Sequence, residues 1–150
     1  MRAVHARVER RGAALLLAYR VQGKIEDLRI PAAGVQPLWQ HTCCELFVAR
    51  AGSPAYHEFN FSPSGDWAAY AFTDYRQGAP MTVPDPGIAC SRSADEAELH
   101  ATVHGASGPL VLGLSAVIEA RDGTRSYWAL RHAPGKPDFH HRAAFALELA

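Results

Sequence analysis

No run of apolar residues in this 150-residue chain approaches the length of roughly twenty that a membrane-crossing helix needs. The apolar stretch Ala13–Tyr19 is short, is broken by Arg20 and is followed by no clean small-residue cleavage site, so it reads as a buried strand rather than a secretory leader. Neither sign of charge is in excess. Fifteen basic and 15 acidic residues leave a formal net charge of +0, which argues against broad attraction to nucleic acid or to an anionic membrane and permits self-association as a homodimer. Cysteine is scarce and odd in number, 3 in all. Cys43 and Cys44 are adjacent on an apparent strand, where neighbours point to opposite faces and do not pair. The expectation is free, buried thiols in a reducing, cytoplasmic setting. Repeats, low-complexity tracts, charge blocks and long amphipathic helices are also missing.

What is present is β structure. Gly and Pro punctuate the chain at short intervals, which favours strands over long helices. Residues 1–150 read as one domain built from the segments Ala3–Glu9, Ala14–Val21, Ile25–Ile30, Cys43–Ala49, Tyr56–Ser62, Trp67–Phe72, Glu98–His104, Val111–Ala120, Ser126–Arg131 and Phe145–Leu149. Arg11-Gly12 and Arg121-Asp122-Gly123 read as hairpin turns, and Pro63-Ser64-Gly65-Asp66 as a tight turn. Asp74–Pro86, with Gly78, Pro80, Pro84 and Pro86, reads as a long irregular loop. Glu58, Asn60 and Ser62 alternate with His57, Phe59 and Phe61, as they do in a strand with two unlike faces. The fold class is all-β, an antiparallel β-sandwich.

Two groups of residues carry candidate chemistry. The first comprises Trp39, His41, Glu45, Asn60 and Trp67. Trp39, Trp67 and Trp128 read either as flat platforms for the apolar faces of sugar rings or as large core side chains. Glu45 and Asn60 lie on strands joined by a short turn, so a carboxyl and an amide fall together and offer donors and acceptors to hydroxyl groups. The plainer alternative pairs Glu45 with Arg131 or Arg50, and leaves Glu58 and Asn60 exposed to solvent. The second group is Arg131, His132, Lys136, Asp138, His140 and His141, folded together by Pro134-Gly135-Lys136-Pro137. It suits a polar or anionic ligand, with a loop-to-core hydrogen bond from His140 as the structural alternative. No Cys-x-x-Cys or His-x-x-x-His spacing points to a metal site, no nucleophile elbow is present, and no Cys-x-x-Cys-His attaches haem.

Three blocks give the chain its resemblance: Leu38-Trp39-Gln40-His41-Thr42-Cys43-Cys44-Glu45-Leu46-Phe47; Glu58-Phe59-Asn60-Phe61-Ser62-Pro63-Ser64-Gly65-Asp66-Trp67-Ala68-Ala69-Tyr70; and Tyr127-Trp128-Ala129-Leu130 with Pro137-Asp138-Phe139-His140. In that order they resemble the DOMON-like bacterial domains related to family 9 carbohydrate-binding modules, over nearly the whole chain. The resemblance implies a β-sandwich that binds sugars or haem. Thr42 stands where sugar-binding relatives carry an acid, and Glu45 matches their later acid. For haem, which those relatives hold through Met and His, Met81 with His100, His104 or His132 is the available pairing.

The functional expectation is a non-catalytic module for a small polar ligand, a saccharide or sugar-containing metabolite, with no cofactor. The ligand-binding set is Trp39, His41, Glu45, Asn60, Trp67, Trp128, Arg131, His132, Lys136, Asp138 and His140. The alternatives are an acid/base enzyme acting on sugars through Glu45 and a His, a haem-binding domain, and a protein-interaction domain.

Overall fold

Apolar residues at every second position, as in Leu15, Leu17, Tyr19 and Val21, bury one face of a strand and wet the other. The computed structural model, describing residues 1–150, resolves this pattern into two facing antiparallel sheets. The smaller has four strands in the order β1 (Ala3–Arg11), β2 (Ala14–Gln22), β8 (Glu96–Val103), β7 (Ala89–Arg92). The larger has seven: β10 (Arg125–Ala129), β9 (Leu110–Glu119), β3 (Cys43–Ala49), β4 (Tyr56–Phe61), β5 (Trp67–Asp74) and β6 (Gln77–Pro80) in order, with β11 (Leu147–Leu149) also on β9. No helix is long and apolar enough to cross a membrane.

The main core lies between the sheets. Leu15, Leu17 and Tyr19 of β2 and Leu99, Ala101 and Val103 of β8 meet Cys44 and Leu46 of β3, Phe59 and Phe61 of β4, and Leu112 and Leu114 of β9. Each fully buried aliphatic side chain contributes roughly 1.5–3 kcal/mol, so this layer dominates stability. The Tyr19 hydroxyl crosses it and donates to the Glu45 carbonyl oxygen at 2.7 Å, tying the two sheets together.

Strand alternation fixes the rest. With Cys44, Leu46, Phe59 and Phe61 inward, Cys43, Glu45, Phe47, Tyr56, Glu58 and Asn60 must point to the outer face of the large sheet. Part of that face is roofed by the chain between β10 and β11. β10 pairs with Ser115–Glu119 of β9 and β11 with Leu110–Leu112, so both strands share one edge of β9. The connecting chain leaves that edge, passes over the outer face and packs Ala144 and Phe145 on Phe47, Ala49 and Tyr56. Gly113 lies beneath it: a Cβ there would sit 3.2 Å from the Phe145 ring and 3.4 Å from the Cβ of Phe47.

Several sequence expectations need correction. Ile25–Ile30 is not a strand; Ile25–Asp27 forms a 3₁₀ turn, and Leu28 makes one isolated bridge to Ala120. Ile25 and Leu28 are buried because they plug one end of the core with Val21, Ala116 and Ile118. The segment expected to be loop contains β6, and β7 was not anticipated at all; both are exposed edge strands with no apolar alternation to reveal them. The last expected strand shortens to Leu147–Leu149, after a 3₁₀ turn at Arg142–Ala144. All cysteines are free, but Cys90 is exposed rather than buried.

Candidate functional site

A cavity of about 630 Å³ opens on the outer face of the large sheet, beside the roofing chain. Its floor is set by strand register. Glu45 faces Asn60 on β4 and Ser115 on β9, and Glu58 faces Tyr70 on β5. Tyr70, Phe72 and Val117 extend the floor; Trp39, Gln40, Arg76, Arg125, Tyr127, Pro137, Phe139 and His140 form the walls.

The floor is buried, and both of its carboxyl groups hold their protons more tightly than free ones do. Glu45 is 3% exposed, makes no ion pair and accepts one hydrogen bond, from Ser115 Oγ at 3.2 Å. Burial, then the nearby Glu58, pushes its pKa up to about 8, with Ser115 opposing. Glu58 is 5% exposed; burial raises it to about 7 against the lowering effects of Asn60 and Arg76. The plainer alternative for Glu45, a pairing with Arg131 or Arg50, is therefore not formed, and the alternative that leaves Glu58 and Asn60 open to solvent does not hold. The reason is the roof, which a strand-by-strand reading does not supply. Asn60 is 0% exposed. Its amide lies close enough to favour ionised Glu58, yet neither its oxygen nor its nitrogen makes a hydrogen bond of good geometry. Such groups are rare, and each costs about 1–3 kcal/mol.

One wall is a hydrogen-bonded chain. The Arg76 amide donates to the Tyr56 hydroxyl at 3.0 Å, and that hydroxyl is 2.8 Å from His140 Nδ1. With Tyr56 donating onward, Nδ1 is the bare nitrogen, and the protonated Nε2 lies 3.3 Å from Glu58 Oε1. Burial, reinforced by the Arg76 charge, pulls His140 down to about 4, so the ring is neutral at pH 7. The Arg76 guanidinium is held by Asp138 at 2.9 Å, and Asp138 also accepts from the Tyr75 hydroxyl and from the His140 amide. Arg76 sits at φ 55°, a left-handed conformation costing about 1–2 kcal/mol for a side-chain-bearing residue. Hydrogen bonds worth about 1 kcal/mol each, at its amide and guanidinium, offset that cost.

The opposite wall is aromatic. Leu38–Gln40 is a 3₁₀ turn anchored by Leu38, which is buried, so that Trp39 stands outward with 48% of its surface exposed. The preceding loop is pinned where the Gly34 amide donates to Asp66 Oδ2 at 2.7 Å. Tyr127 of β10 is 43% exposed, and its ring lies 6.2 Å from that of Phe139.

Of the residues singled out in the sequence, Trp39, Glu45 and His140 line this cavity. Asn60 lies beside Glu45, and Asp138 holds Arg76. The others lie elsewhere. His41 turns to Glu119, 3.1 Å away. Trp67 lines a separate small crevice with Phe61, Val83 and Pro84. Trp128 packs toward the inter-sheet core and donates to Ser126 Oγ. Arg131, His132 and Lys136 are exposed outside the cavity, because the turn at Pro134–Pro137 brings Phe139 and His140 inward instead. Met81 packs against the main core. No cluster of three or more His, Cys, Asp or Glu side chains forms a metal centre.

Sequence reading missed Arg76, Tyr70, Phe72, Arg125, Tyr127 and Phe139. Tyr70 and Phe72 were legible: they alternate with Ala69 and Ala71 on the strand after Glu58. Arg76 had no signal, since nothing local marks a left-handed arginine in a hairpin turn.

No family model matches the chain, and no curated protein is detectably similar to it. Solved structures are. A candidate carbohydrate-binding protein from Bacteroides uniformis superposes with a TM-score of 0.70 at 18% identity, covering 95% of this chain and 76% of that one. A family 9 carbohydrate-binding module from Caldicellulosiruptor kristjanssonii, in complex with cellotriose, superposes with a TM-score of 0.60 at 12% identity, covering 97% of this chain and 72% of that one. At such identities the likeness establishes a shared β-sandwich fold. A DOMON relationship rests on the sequence blocks alone.

Proposed function

We propose that the cavity on the large sheet is the binding site of a non-catalytic saccharide-binding module. The observation that carries this reading is the pairing of a buried hydrogen-bonding floor with two exposed aromatic rings at one rim. A sugar ring presents hydroxyls at its edge and C–H groups on its faces. A carboxyl that keeps its proton at pH 7, as Glu45 does, both donates and accepts, which an ionised carboxylate cannot do. The neutral His140, which lines the cavity, adds hydrogen-bonding capacity without a net charge to desolvate. Trp39 and Tyr127 supply flat surface with few rotamers to freeze. The cellotriose-bound neighbour supports the ligand class by analogy of fold.

The test is a thermal-shift screen against mono- and oligosaccharides, repeated with Trp39→Ala and Tyr127→Ala. Both side chains are exposed, so the variants should fold. A ligand at about 100 times its Kd adds roughly 2.7 kcal/mol of stability. The expected result is a shift with one sugar class that shrinks in both variants; a shift unchanged in both places the ligand elsewhere.

A second reading has its own support. Two carboxyl groups with raised pKa in one cavity are the equipment of acid/base chemistry on a sugar. New sugar resonances appearing during incubation of a bound ligand, and not in Glu58→Gln, select that reading.

A further inference from the structure

Arg125 opens β10 on the cavity wall, next to both exposed rings. Its Nε donates to the Gln40 carbonyl oxygen at 2.7 Å, which locks the guanidinium plane against the turn that carries Trp39. Neither terminal nitrogen makes a hydrogen bond. The acid facing them is Glu119, whose Oε2 lies 3.8 Å away, beyond hydrogen-bonding reach. That same Oε2 lies 3.8 Å from Arg29, and the other oxygen is engaged by His41. One buried carboxylate is thus set against two guanidiniums at equal distance, and of the two only Arg125 lines the cavity. The other arginine of the cavity is different: Arg76 is matched by Asp138, 2.9 Å away.

We propose that the saccharide bound in this cavity is acidic, and that its anionic group is read by the free edge of Arg125 while its ring lies against Trp39 and Tyr127. This rests on the saccharide reading above. A guanidinium with both terminal nitrogens unbonded presents parallel N–H groups at the spacing of a carboxylate, and its plane is already oriented, so little order is lost on binding. A neutral sugar would leave that edge without its matching partner. A uronic acid carboxylate and a sugar phosphate share the required chemistry.

Calorimetric titration decides the matter, using glucuronate and galacturonate against glucose and galactose, with glucose 6-phosphate as the second anionic source. The expected result is affinity about tenfold or more tighter for an acidic sugar than for its neutral counterpart, equivalent to one charged hydrogen-bonded contact. The preference should fall with added salt, since Arg125 is partly exposed and screened. It should vanish in Arg125→Gln and persist in Arg131→Gln, whose side chain lies outside the cavity. Tighter binding of the phosphate than of either uronate assigns the anion as a phosphoryl group. Equal binding of neutral and acidic sugars, or a preference that survives Arg125→Gln, overturns the inference and leaves the saccharide reading standing. Absence of any sugar binding removes both.

Discussion

Burial raises the carboxyl pKa of both Glu45 and Glu58, and this has a measurable consequence for stability. Each has a folded-state pKa above its ordinary 4.5, about 8 for Glu45 and about 7 for Glu58. The folded protein therefore holds these protons more tightly than the unfolded chain. The associated stability is complete below about pH 4.5 and drains away as pH rises through those values. His140 has the opposite sign: depressed from 6.5 to about 4, it contributes stability above its unfolded value that is lost as pH falls toward 4. Between pH 6.5 and 8 the carboxyls act unopposed. The melting temperature should fall across this window, with a slope on the order of 1 kcal/mol per pH unit where one group dominates. Glu45→Gln, which mimics the protonated acid, should flatten the slope and be more stable than the parent at the alkaline end. A profile unchanged by the substitution means that Glu45 ionises normally. Ligand binding that spares Glu45 from water should steepen the same dependence.

At the level of elements, the chain between β10 and β11 makes a cavity out of a sheet face, and Gly113 is the residue that lets it lie close. In Gly113→Val the new branches would collide with Phe145 and Phe47. We expect a loss of about 1–3 kcal/mol in denaturant unfolding, typical of overpacking, together with weaker ligand binding as the roof lifts. Full stability with normal binding would show that the roof does not rest on this contact. The strands themselves were legible in the sequence because alternation such as Leu15, Leu17 and Tyr19 reports burial against a facing sheet. Ile25–Ile30 misled because its apolar residues plug the end of a core, which needs no period of two. Glu58 and Asn60 are ambiguous in the sequence for the converse reason: polar side chains on the face opposite Phe59 and Phe61 read equally well as exposed until another part of the chain covers them. The site was thus half visible. Trp39, Glu45 and His140 could be picked out by residue type, whereas Arg76 and Arg125 acquire their roles from contacts with distant residues.

For the molecule as a whole, the two sheets are held in register by more than apolar contact. The Tyr19 hydroxyl reaches from the small sheet to the backbone of Glu45 in the large one. Tyr19→Phe keeps the ring and deletes this bond, leaving a buried carbonyl with one partner fewer. The expected cost is about 1 kcal/mol in equilibrium unfolding, with a weakening of ligand affinity if Glu45 shifts with its strand. An unaltered midpoint would mean that packing alone sets the spacing of the sheets. The shared edge of β9 has a wider consequence. The roofing chain departs where the Leu130 amide donates to the Leu114 carbonyl and returns where Leu147 pairs with Leu112, nearly the same place on one strand. A segment whose two ends are fixed side by side can change length cheaply, since doubling a loop adds only about 0.6 kcal/mol of closure entropy. Selectivity can therefore diverge through replacement of one stretch of chain, while the sheets that carry it are inherited intact, and a graft between β10 and β11 is the natural unit of exchange for altering what this scaffold recognises.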